Sequence, residues 1–148
     1  MQKCPKCPEG TVILAGLQAQ RIAPYKEYLK DKEAVIFDSI LDHSNSYIKY
    51  DCGTGTFRLK KCATYLINWT VSVEGSERVP FIRFALKIND KIYGPSAMPI
   101  TVGQLTGSNL ITTTWTPTTL QLINDTEDMV RLAPITPIAN IVISTNIG

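Results

Sequence analysis

Apolar and polar residues alternate along most of this chain, and the clearest run is 63–73. There Tyr65, Ile67, Trp69, Val71 and Val73 share one side, while Thr64, Asn68, Thr70 and Ser72 share the other. Successive side chains of a strand point to opposite faces, so the run predicts one buried face and one that is wet or partnered. Residues 81–89 repeat the pattern through Ile82, Phe84, Leu86 and Ile88. Asn89-Asp90 then predicts a tight hairpin into 91–93, which Gly94-Pro95 ends. Further strands are expected at 34–40, 47–50, 54–60, 104–114, 118–124, 128–132 and 138–144, punctuated by Gly53, Gly55, Pro117, Asn124-Asp125, Pro134 and Pro137. The threonine-rich TTTWTPTT at 112–119 fits exposed strand ends. About nine short strands with almost no helix predict an all-β antiparallel sandwich or barrel.

The pattern changes upstream of residue 33. That stretch holds a Cys-x-x-Cys turn (CPKC), the apolar TVILAGLQAQ and the charged YKEYLKDKEA. Pro24 suits the first position of a short helix, but the like-charge pairs Lys26/Lys30 and Glu27/Asp31 weaken it. The expected organisation is a connector arm, 1–33, followed by a head domain, 34–148. Val12, Ile13, Leu14 and Leu17 form the arm's apolar stretch. Left exposed, such a stretch is an aggregation hazard. It either docks in a groove of the next subunit or packs as an extra strand on its own head.

A length of 148 residues with 44% apolar content supports one sizeable core plus an appendage. The net charge of +2 comes from 15 basic and 13 acidic residues that are interspersed, which argues against nucleic acid as a partner. No apolar run approaches the ~20 residues needed to span a bilayer, so membrane insertion is not expected. Residues 11–17 are too short, and too closely preceded by Cys-Pro pairs, for a secretory signal peptide. The single histidine, His43, sits between Asp42 and Ser44, and three consecutive residues cannot adopt triad geometry. Glu127 and Asp128 read as solvated charge, and Gly53-Thr-Gly55 lacks the helix and lysine of a phosphate loop. No catalytic residue, cofactor or enzymatic activity is expected.

AVIFD at 34–38, YDCGTGTF at 50–57 and YLI at 65–67 resemble the opening half of the tumour-necrosis-factor/complement-head jelly roll. FALKINDKI at 84–92, GPS at 94–96 and GQLTG at 103–107 are similar to the C-terminal head of the collagen-like glycoproteins of the bacterial spore exosporium. The resemblance covers residues 34–146 and implies an antiparallel jelly-roll sandwich. Three departures stand out: Cys62-Ala63-Thr64 replaces the usual glycine before the Tyr65 strand, the hairpin is Asn89-Asp90 rather than Asn-Gly, and no collagen repeat precedes the head. The resemblance implies a homotrimer formed through apolar and aromatic strand faces, with Tyr65, Trp69, Phe84 and Leu120 as trimer or core residues.

Four cysteines remain: Cys4, Cys7, Cys52 and Cys62. Cys52 and Cys62 bracket one strand, whose ends lie near 30 Å apart at ~3.3 Å per residue. That span is too long for a mutual disulfide, whose Cα atoms must lie within ~7 Å, or for one shared zinc ion. All four are therefore candidates for intersubunit disulfides, Cys4 and Cys7 on the arm being oxidised to the heads of neighbours. Reduced thiols, and a zinc half-site at Cys4 and Cys7, are the alternatives. The layout resembles spore appendage fibres, in which jelly-roll subunits are joined by cysteine-bearing connectors. The expected function is a structural subunit of a filament at a spore or cell surface, with copies of itself and possible other spore-surface proteins as partners. The rival is a trimeric binding module for a receptor or glycan, presenting the polar loops 42–46 and 75–78.

Overall fold

The computed structural model describes residues 14–23, 27–42, 46–98 and 103–146 of the chain. They form twelve strands: β1 (Leu14–Arg21), β2 (Tyr28–Leu29), β3 (Ser39–Asp42), β4 (Ile48–Asp51), β5 (Thr56–Leu59), β6 (Thr64–Ser76), β7 (Ile82–Ile88), β8 (Lys91–Met98), β9 (Gly103–Thr112), β10 (Thr118–Asn124), β11 (Val130–Leu132) and β12 (Ala139–Asn146). No helix occurs among the described residues. One sheet has seven strands in the order β2-β11-β6-β12-β1-β3, with β9 also paired to β6; the other runs β4-β5-β10-β7-β8. Every pairing is antiparallel.

The long β6 organises the first sheet. β12 pairs with its residues 65–71 and β9 with its residues 64–73, so the two occupy opposite edges. Its inward side chains Tyr65, Ile67, Trp69, Val71 and Val73 are all buried, as the alternation predicts. They meet Phe57, Phe84, Leu86, Leu120 and Leu122 of the second sheet in one hydrophobic core. At one end of that core Phe37, Tyr50 and Phe57 form an aromatic cluster, with Tyr50 and Phe57 centroids 4.5 Å apart. Asn124 closes β10. Its side-chain amide donates to the carbonyls of Leu29, Lys30 and Asp128, and its Oδ1 accepts from Thr126 N–H, so a buried polar residue has its demand met.

The boundary expected at residue 33 is corrected. β1 lies between β12 and β3 inside the seven-stranded sheet, its Leu17 only 3% exposed and buried with Ala15 and Ala19. LAGLQAQR alternates small apolar with polar or glycine positions, and that pattern fills an inner strand of its own head. Leu17 therefore does not dock on a neighbour. Leu14 opens β1, whereas Val12, Ile13, Cys4, Cys7 and His43 lie outside the described residues.

Three further expectations shift. Within 27–34 the chain forms β2 on the edge of β11 rather than a helix, and Leu29 is buried there. Residues 34–38 make only an isolated bridge, Ala34 to Ile123, before β3 begins at Ser39. β8 runs through Gly94-Pro95 instead of ending there. Gly94 takes a positive φ of 56°, the ladder to β7 shifts register nearby, and Pro95 is tolerated because β8 is an edge strand.

Candidate self-association face

The outward face of the seven-stranded sheet is the complement of its buried one. Register aligns it in three rows of four across β1, β12, β6 and β9: Gly16–Ser144–Leu66–Leu110, Gln18–Val142–Asn68–Ser108, and Gln20–Asn140–Thr70–Thr106. None of these positions is charged, although the chain carries 15 basic and 13 acidic residues. Gln18 and Gln20 both donate to Asn140 Oδ1, at 2.7 and 3.1 Å, which holds the amides in place. Leu66 and Leu110 stand directly opposite one another, 43% and 71% exposed. The other sheet differs. Its outer face pairs Lys49 with Arg58 and Gln121 with Lys87, and Arg83 lies nearby. A sheet face stripped of charge and carrying an apolar pair has the composition of an interface centre, where charged residues are depleted.

The structure separates the aromatic and apolar residues singled out in the sequence from this face. Tyr65, Trp69, Phe84 and Leu120 are all core, buried to 1% or less, so none is available to another subunit. Tyr65 donates its hydroxyl to the carbonyl of Lys60 at 2.9 Å, and burial pushes its phenol up to about 12. The signal for the face is present but inconspicuous: Leu66 and Leu110 each interrupt an otherwise polar alternation, among Thr64, Asn68, Thr70 and Ser72 in one strand and among Thr106, Ser108 and Thr112 in the other.

Cys52 and Cys62 are exposed free thiols in the turns at either end of β5. Cys62 takes a positive φ of 58° and donates its N–H to the Thr114 carbonyl. Beside it Lys61 lies 5.9 Å from the ring of Trp115, which is 80% exposed. No group of three or more His, Cys, Asp or Glu is placed to hold a metal among the described residues. At the other end of the molecule Asp128 accepts from the backbone N–H of Arg78 and faces its guanidinium at 3.5 Å, which holds its carboxyl below the usual carboxylate range.

No family model matches the chain, and no curated protein does either. Solved structures match across nearly its whole length. Eiger, a TNF from S. frugiperda, superposes with a TM-score of 0.66 at 10% identity, covering 91% of this chain and 93% of that one. The globular domain of zebrafish complement 1qA protein gives 0.65 at 15% identity, with 90% and 96% covered. Murine APRIL gives 0.63 at 6% identity, with 91% and 100% covered. The fold is thus a TNF/C1q-like antiparallel jelly roll.

Proposed function

We propose that this chain is a non-enzymatic structural subunit whose jelly-roll head forms a homotrimer, with trimers strung into a filament or layer at a spore or cell surface by the residues ahead of Leu14. The single observation that carries it is the uncharged outward face of the seven-stranded sheet, with Leu66 opposite Leu110. Three copies presenting that face to one another bury it, as an obligate interface requires. Cys52 and Cys62, both exposed, serve as anchor points for Cys4 and Cys7 of neighbouring copies. Each such joint converts two thiols to a disulfide, the two protons and two electrons passing to dioxygen, which leaves as hydrogen peroxide. This layout resembles that of spore appendage fibres.

Sedimentation in reductant tests the head and a non-reducing gel tests the joints. A trimer in reductant, with a ladder of multiples in its absence, is the expected outcome. A monomer under both conditions would reject the reading. The rival is a trimeric module that recognises a receptor or glycan, and the exposed Trp115 favours it. Fibres under the electron microscope support the first reading, isolated trimers the second.

A further inference from the structure

The charges that are interspersed along the chain are sorted by the fold. Around the end of β10 that Asn124 closes, cations meet carboxylates: Lys32 and Arg83 reach Asp125 at 2.6 and 3.2 Å, Arg78 faces Asp128, and Arg131 lies between Glu27 and Glu74. The opposite end of β10, where Thr118 pairs with Leu59, is different. There Lys49 stands directly across from Arg58 on the outer face of β4 and β5, and Lys60 and Lys61 follow within three residues, about 10 Å of chain; all four are exposed. None of them makes an ion pair among the described residues. Asp51, two residues from Lys49, turns its carboxylate back to the Gly53 N–H at 2.9 Å and to the Thr54 hydroxyl. Like charges directly opposite one another on paired strands are destabilising, so Lys49 and Arg58 hold a repulsion that a bound anion would relieve.

An aromatic ring borders these cations. The Cys62 N–H donates to the Thr114 carbonyl at 3.0 Å, which brings Trp115 beside Lys61; the Lys61 ammonium is 5.9 Å from the indole, and the ring stays 80% exposed. Lys60 is held over the Tyr47 ring at 4.4 Å, so its charge has a fixed place. Thr114 and Thr116, both exposed, flank Trp115 in the chain with hydroxyls. A flat apolar ring packs against the C–H face of a pyranose, hydroxyls bond sugar hydroxyls, and ammonium and guanidinium groups take sulfate or carboxylate substituents. We propose that Trp115, Lys60, Lys61 and the Lys49–Arg58 pair form a binding site for an acidic polysaccharide. A nucleic acid strand suits it less, because such a strand tracks successive stacking platforms and this patch offers one exposed ring. The cations lie on and just beyond β5, in the other sheet from Leu66 and Leu110, so the site goes beyond the self-association reading and does not depend on it.

The test is calorimetric titration of the full chain, in reductant and at low salt, with heparin, polygalacturonate, neutral dextran and single-stranded DNA. Binding to heparin, which carries sulfate, or to polygalacturonate, which carries carboxylate, supports the site and tells which anion it takes; dextran should not bind, and added salt should weaken the complex. Trp115→Ala and Lys61→Glu, both at exposed positions, are each expected to weaken binding about tenfold, whereas Lys30→Glu, the same change in net charge at the opposite end, should leave it within about twofold. Failure to bind either acidic glycan, DNA held more tightly than both, an unaffected Trp115→Ala chain, or equal losses from Lys30→Glu and Lys61→Glu would each overturn the proposal. Sedimentation of the same samples reads self-association separately, so trimers that bind neither glycan would lose this site and keep that reading.

Discussion

Trp69 packs its indole into the space that a side chain on Gly107 would need, directly across the β6–β9 ladder: a Cβ there would lie 2.3 Å from the ring. The contact is backbone against ring, between the buried Trp69 and a half-buried Gly107, and β9 is held to β6 by ten register pairs.

Gly107→Ala is therefore expected to destabilise the head by about 1–3 kcal/mol, the usual cost of overpacking a filled interior. Denaturant unfolding followed by tryptophan fluorescence measures it. An unchanged midpoint would mean that the indole moves aside at no cost.

Leu66→Gln combined with Leu110→Gln should convert the assembly to monomers in sedimentation. Each buried Leu contributes roughly 1.5–3 kcal/mol, which weakens association by at least tenfold per site. Because both side chains project from the outer face of the sheet, the far-ultraviolet dichroism of the strands should persist. Retained trimers would place the interface elsewhere.

Alkaline stability should depend on Tyr65. Its phenol is raised to about 12 in the fold, against 10.0 for an ordinary tyrosine. Above pH ~10 the unfolded chain gives up this proton and the folded chain keeps it, so the contribution is intact below ~10 and declines as pH climbs through the folded value. Tyr65→Phe should flatten this part of the denaturation profile between pH 9 and about 12 relative to the parent chain.

Asp128 works in the opposite direction. Its carboxyl is lowered by the Arg78 backbone N–H, so its contribution is present above the ordinary aspartate range near ~3.9 and drains away as pH falls below it. Asp128→Asn should reduce stability at neutral pH and make the acid limb of the pH–stability curve shallower. A curve parallel to that of the parent protein would remove Asp128 from the account.

Much of the sandwich was legible because period-two alternation is a local property. The buried set on β6 follows from residues 63–73 alone, and the hairpin at Asn89-Asp90 joins β7 to β8 where expected. What the sequence left open was non-local. LAGLQAQR is small and weakly β-forming by composition, and only its place between β12 and β3 makes it a strand. Likewise alternation set Tyr65 and Trp69 on a buried face, but whether they, Phe84 and Leu120 were core or trimer contacts depended on how the two sheets pack, and all four are core. The face proposed for self-association was carried by two leucines at polar-phase positions, which become adjacent only when β9 pairs with β6.

The anchoring of β1 has a mechanical consequence. Its eight residues pair with β12 along their whole length and with β3 over part of it, and the bonds lie across the strand direction. A pull applied at Leu14 along β1 loads those bonds in parallel, as shear, rather than opening them one at a time.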